Sequence, residues 1–121
     1  MRNIIYVAGP YSATTIEKKM ENIDKAVRQA KTLTLLGYCC IVPHKLTELW
    51  DFDTSFSEWE DIDWLEKCCY PLLYQCRALF LTDGWQKSEG CLKELDFARE
   101  HNIPYFTSER ELLRNIRSIQ V

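Results

Sequence analysis

Glycine and histidine are both scarce in this chain, with four glycines and two histidines among 121 residues. So few glycines leave little for a glycine-rich phosphate cradle, and neither a Walker loop nor a G-x-G-x-x-G run is present. Two histidines, His44 and His101, are too few for an imidazole-rich metal centre, and the six cysteines include no C-x-x-C spacing. Cys39-Cys40 and Cys68-Cys69 are adjacent pairs, while Cys76 and Cys91 stand apart. They read as small apolar core residues in a reducing compartment, not as a zinc site or a disulfide framework. No metal and no cofactor is expected. Long apolar runs are missing too, and Met1-Arg2-Asn3 leads directly into a β-rich segment without a secretory stretch, which points to the cytoplasm and away from a membrane. A basic stripe is also lacking: 15 Lys and Arg are interspersed with 18 Asp and Glu for a net charge of −3. That balance disfavours long nucleic acid as a partner but leaves open a small anionic ligand, which needs only a few local donors.

What is present is an ordinary globular composition, 46% hydrophobic and 27% charged, at a length that fits one domain over residues 1–121. Arg2 to Ala8 reads as a central buried strand, ended by Gly9-Pro10-Tyr11-Ser12-Ala13. Thr14-Thr15-Ile16-Glu17 has capping-box form, and Met20, Ile23, Val27, Ala30 and Leu33 recur at helical spacing up to Gly37. Tyr38 to Val42 is a second strand, stopped by Pro43. His44 to Phe56 reads as a polar and aromatic loop, in which His44 either faces a crevice as a hydrogen-bond donor or lies on the surface. Ser57 to Cys76 reads as helix interrupted at Pro71, by a kink or by a break before Tyr70. Ala78 to Leu81 is the third strand, Glu89 to His101 a helix, Ile103 to Thr107 a fourth strand, and Glu109 to Ile116 a terminal helix.

Strands alternating with helices predict a Rossmann-like or flavodoxin-like three-layer α/β sandwich. Its parallel sheet has four strands, or five, in the order 2-1-3-4. The loops after strands one and three then lie side by side at the switch point, where open α/β sheets bind ligands. Ser88 is typed as the N-cap of the helix that follows the third strand, and Gly90 permits close approach there. Glu94 sits at the edge of the apolar stripe Cys91, Leu95, Ala98 and Asn102. It is either a carboxylate held in the crevice or a solvated helix residue paired weakly with Lys93 or Arg99. Trp85 either stacks on a ligand or anchors its loop, and Tyr11 either reaches a ligand or covers the first helix.

Three segments together resemble the nucleoside 2-deoxyribosyltransferase-like superfamily. They are Tyr6-Val7-Ala8-Gly9-Pro10-Tyr11-Ser12, Val42-Pro43-His44 and Gly84-Trp85-x-x-Ser88-x-Gly90-x-x-x-Glu94. Within it, the nearest likeness is to the small bacterial and phage members with a G-W-x-x-S-x-G motif, the DUF4406-like proteins. The resemblance implies that Glu94 acts as nucleophile on C1′ of a deoxyribose, and that Gly9, Pro10, Tyr11, Ser12, Ser88 and Gly90 hold sugar and phosphate. It also implies a homo-oligomer, a dimer or larger.

The superfamily usually carries an aspartate on the helix before the third strand. Counting back from Cys76-Arg77 places Cys69 in that slot, with Arg77 at a second acidic position. Alternatively an insertion lets Asp61 or Asp63 supply the acid, since Asp61-Ile62-Asp63-Trp64-Leu65 resembles the aspartate segment of the monophosphate glycosidases. The chemistry suits a carboxylate, which can stabilise or capture an oxocarbenium-like state, with a proton donor for the departing base. The expected activity is hydrolysis or transfer at the N-glycosidic bond of a deoxynucleoside or its 5′-monophosphate. The alternatives are a nucleotide-sequestering module on the same scaffold and a structural domain with an empty crevice.

Overall fold

The computed structural model describes residues 3–48, 50 and 53–119. Strand β1 (Ile4–Ala8) is an unbroken apolar run, and from Ile5 onward it is buried, as a strand covered on both faces must be. It pairs in parallel with β2 (Cys39–Ile41) on one side and with β3 (Ala78–Leu81) on the other, so that Tyr6 lies opposite both Ile41 and Leu79. β4 (Tyr105–Phe106) adds to the outer side of β3, and the order is β2-β1-β3-β4. This is the Rossmann-like α/β sheet expected from the alternation of elements, with four strands among the described residues. β4 is shorter than Ile103 to Thr107. The Ile103 N–H still serves the preceding helix by donating to Ala98 O, and Pro104 has no N–H to give a ladder.

Side chains alternate across the pleat and divide the core in two. Ile5, Val7, Ala78 and Phe80 face α1 (Ile16–Leu35) and α6 (Glu109–Ile119), through Ala26, Ala30, Leu33 and Leu112. Tyr6, Ala8, Leu79 and Leu81 face the opposite layer, through Leu65, Cys69, Leu73, Cys91, Leu95 and Ala98. The N-cap of α1 is Thr15, whose hydroxyl accepts from the Lys18 N–H, so the capping box starting at Thr14 does not form. Glu17 instead meets the positive end of the helix dipole in the first turn. Met20, counted with the apolar stripe, is 61% exposed, and Ala26 takes an inward position.

Two further expectations are corrected. Pro43 ends β2 but also opens a short helix, α2 (Pro43–Thr47), where a loop was expected, because its fixed φ and missing N–H suit the first helical position. The helical segment around Pro71 starts at Asp61 rather than Ser57, and a short second helix begins at Tyr70 as expected, but after a π turn. The segment runs as α3 (Asp61–Trp64), a π-helical turn (Leu65–Cys69) and α4 (Tyr70–Tyr74). In the π turn the Tyr70 N–H reaches back five residues to Leu65 O, so the hydrogen-bond ladder is already shifted where the proline withholds its donor. Between α2 and α3, Trp50, Phe56, Trp59 and Trp64 pack as a satellite cluster with ring centroids 4.9–5.5 Å apart.

The loops leaving β1 and β3 touch. The Thr82 N–H donates to Ala8 O at 2.9 Å, carrying the ladder one step past the strands. A Cβ added at Gly9 would stand 2.3 Å from Thr82 Oγ1. Gly84 has φ +88°, a left-handed conformation that L side chains rarely adopt, and a Cβ there would meet Pro10 at 3.3 Å. Gly9→Ala is therefore expected to destabilise by about 1–3 kcal/mol through overpacking. Adding Thr82→Ala should restore most of that loss, because it deletes the colliding oxygen. Urea unfolding of the two single variants and the double gives the coupling energy directly, and additive losses would contradict the close approach.

Candidate functional site

α5 (Glu89–Glu100) starts where the β3 loop ends, behind a 3₁₀ turn at Trp85–Lys87. Ser88 is its N-cap and accepts from the Cys91 N–H at 3.2 Å. The inward positions of α5 are Cys91, Glu94, Leu95 and Ala98, at helical spacing i, i+3, i+4 and i+7. Glu94 therefore points at the sheet and is 3% exposed. This overturns its reading as a solvated residue paired with Lys93 or Arg99. Lys93 lies 3.8 Å from Glu89, and the Arg99 guanidinium donates to the Tyr105 hydroxyl.

The partner of Glu94 comes from the sheet. The Tyr6 hydroxyl, buried in the middle of β1, donates to Glu94 Oε2. Cys69, buried on the π turn, belongs to the same core layer as Tyr6 and lies close enough to feel the Glu94 charge. Burial pushes the Glu94 carboxyl up to about 7, against the opposing pull of the Tyr6 hydrogen bond. Burial, with the Glu94 charge adding to it, pushes the Cys69 thiol up to about 12 and the Tyr6 phenol well above its ordinary value. Cys69 thus stays a thiol at neutral pH, which is the unreactive form of the group.

Glu94 and Cys69 open onto a cleft of about 640 Å³, a size typical of small-molecule sites. It lies at the carboxyl ends of β1 and β3. Of the candidate residues, Pro10, Tyr11, Ser12, His44, Asp61, Cys69, Ser88, Gly90 and Glu94 line it. Tyr11 and His44 stack face to face, with centroids 4.4 Å apart and planes at 14°. Desolvation lowers the His44 imidazole to about 4, partly opposed by a hydrogen bond with the Gly9 backbone, so the ring is neutral at physiological pH. Asp61 lies exposed at the cleft mouth. A Cβ on Gly90 would find only Ser88 Oγ, at 3.9 Å, so the first turn of α5 faces open space.

Three candidates lie elsewhere. Gly9 sits under the cleft, against Thr82. Asp63 caps α3 by accepting from the Glu60 N–H at 2.8 Å, and pairs with Lys67 at 3.2 Å. Trp85 is half-buried and packs against the core layer of Cys91 and Leu95, as a loop anchor does. Tyr6 was missed as a site residue, although a tyrosine inside an aliphatic strand must find a partner for its hydroxyl. Among the described residues no three His, Cys, Asp or Glu are grouped to hold a metal ion. No helix there is long and apolar enough to cross a membrane.

Residues 3–107 match the family described as Domain of unknown function (DUF4406). The chain belongs to the DUF4406 family. The match contains every cleft residue of this DUF4406 chain and ends before α6. Neither a curated protein nor a solved structure matches it.

Two buried titrations of opposite sign shape the stability of the DUF4406 domain. Glu94 holds its proton more tightly folded than unfolded, so it makes stability fall as pH rises from about 4.5 to about 7, by a total on the order of 3 kcal/mol. His44 holds its proton less tightly when folded, so it makes stability rise from about pH 4 to about 6.5. Urea midpoints taken across pH 4–8 should separate the two: Glu94→Gln leaves the rise alone, and His44→Gln leaves the fall alone.

Proposed function

We propose that this DUF4406 protein cleaves or transfers at the N-glycosidic bond of a deoxynucleoside or its 5′-monophosphate, with Glu94 as nucleophile. The observation that carries the reading is a buried carboxyl, held by Tyr6, that opens onto the cleft at the switch point of the sheet. The likeness of Tyr6-to-Ser12 and of Gly84-to-Glu94 to the nucleoside 2-deoxyribosyltransferase-like superfamily supports it.

In this reading the ionised Glu94 forms a bond to C1′ as the C1′–N bond breaks and the electron pair leaves with the base. A water molecule or an acceptor base then displaces the carboxylate. The positive charge that develops on the sugar stabilises the ionised form of Glu94 when it is needed. Tyr6 is a positioning residue: its O–H fixes one carboxylate oxygen and leaves the other to react. Of the acids near α3, Asp61 lines the cleft and Asp63 is occupied in capping, so Asp61 is the one within reach of a departing base, which takes its proton from solvent or through this side chain. Ser12, Ser88 and Gly90 supply the polar rim for sugar and phosphate, and the flat Tyr11–His44 pair offers one aromatic wall for a base.

A second reading, a module that binds a nucleotide without turning it over, is favoured by one observation. The floor of the cleft beside Glu94 carries the protonated thiol of Cys69, where the resemblance predicts a carboxyl.

Chromatographic assay of free base from deoxynucleosides and their 5′-monophosphates tests the choice. Release is expected, and Glu94→Ala should reduce it at least about 10³-fold, as loss of a covalent nucleophile does. The rate should rise with pH around 7 as Glu94 ionises. Tyr6→Phe, which removes a hydrogen bond that lowers the Glu94 pKa, should move that rise to higher pH. Intact nucleotide recovered from every substrate would instead establish the sequestering module.

A further inference from the structure

The cleft is lined by three lysines and three acids, but they are not all paired with one another. Lys19 from α1, Lys87 from the β3 loop and Lys93 from α5 all line it. Lys93 is engaged by Glu89 at 3.8 Å. Lys19 and Lys87 have no carboxylate within ion-pair distance among the described residues. Lys19 is half-buried, with its ammonium 5.7 Å from the centre of the Tyr11 ring, so it belongs to the wall of the cavity and is not a freely solvated side chain. The His44 ring stacked on Tyr11 adds no charge of its own near neutral pH.

Of the acids in the lining, Glu89 is committed to Lys93, Asp61 stands at the mouth, and Glu94 is turned inward onto Tyr6. Lys19, half-buried, and Lys87, exposed, thus line one cavity from different elements with no carboxylate of the described residues within ion-pair distance. An uncharged nucleoside offers them only neutral acceptors, whereas a phosphate monoester supplies a dianion that both can contact through stronger, charge-assisted hydrogen bonds. The Ser88 hydroxyl caps α5 at the cleft, and the missing side chain at Gly90 leaves space beside it for such a group.

We propose that Lys19 and Lys87 are the specificity-determining residues of this cleft, reading the phosphate of a deoxynucleoside 5′-monophosphate in preference to the uncharged nucleoside. This rests on the reading of the cleft as a nucleotide site, but not on turnover there. The same dianion is carried by 3′-monophosphates and by inorganic phosphate, so these serve as comparison ligands.

The test is calorimetric binding to the full-length protein carrying Glu94→Gln, which keeps ligands intact. The four deoxynucleosides, their 5′- and 3′-monophosphates and inorganic phosphate are titrated in turn. The 5′-monophosphates should bind about tenfold or more tightly than the matching nucleosides, with a preference that weakens as salt is added. Lys19→Met and Lys87→Met should each reduce the preference several-fold, and the double variant should abolish it. Lys25→Met, exposed on α1 outside the cleft, should leave it as it was.

Equal affinity for nucleoside and 5′-monophosphate overturns the proposal, as does a preference that survives in the double variant. Tighter binding of the 3′ esters or of inorganic phosphate overturns it as well. Base release by the wild type is scored separately. Release without phosphate preference removes the lysine assignment and keeps the glycosidic one. Lysine-dependent binding without release does the reverse.

Discussion

The hydrogen bond between Tyr6 and Glu94 joins the middle of the sheet to the middle of a helix, and the functional end of the molecule is arranged around it. A carboxyl in that position has given up its hydration, which is costly unless a donor replaces the lost water. The donor is supplied by the central strand, and Cys69 on the π-helical turn packs in the same core layer. Two segments far apart in sequence, β1 and α5, meet at this oxygen pair, with the π turn packed in the same core layer. No buried side-chain nitrogen or oxygen among the described residues is left without a partner. The same contact that anchors α5 to the sheet also sets the direction of the acid toward the cleft, so architecture and chemistry are not separable here.

The walls of the cleft differ in character. One is the flat, neutral Tyr11–His44 pair, and another is the first turn of α5 with its cap and its open glycine. The floor holds the acid and the thiol, and the rim carries ammonium groups and Asp61. A cleft of mixed polar and apolar lining that holds a buried acid with a raised pKa is a pattern by which small-molecule sites are recognised. The DUF4406 match covers all of these residues, so the cleft lies within the part of the chain that defines the family.

Strand order, helix placement and the convergence of the two glycine-bearing loops could be read from the linear pattern, because each follows from local rules. The alternation of apolar runs with helical stripes, the exits at Gly9 and Gly84, and Ser88 as N-cap are of this kind. Glu94 could be read only as far as its helical position. Whether it faced water depended on β1 placing a hydroxyl within reach, which is a contact across 88 residues. Tyr6 was overlooked for the same reason: within its own strand it looks like one more apolar residue. Pro71 announces the division before Tyr70, but not that the neighbours absorb the lost hydrogen bond through a π turn. Pro43 misled because one residue can both stop a strand and start a helix. Asp63 looked like a catalytic acid, and it is a cap.

The π turn at Leu65–Cys69 has a geometric corollary for how such a protein tolerates changes in length. An extra residue in one helical turn shifts the angular register of everything before it by about 100° relative to everything after. Asp61 and Trp64 therefore owe their aim at the cavity to a single surplus position, while Cys69 and Leu73 keep theirs on the sheet. Excising that residue would leave a regular helix with its hydrophobic side intact and its leading end swung off the cleft. The fold could survive such an edit while the pocket lost one wall, so insertions and deletions here are a route by which relatives could diverge in ligand without diverging in shape.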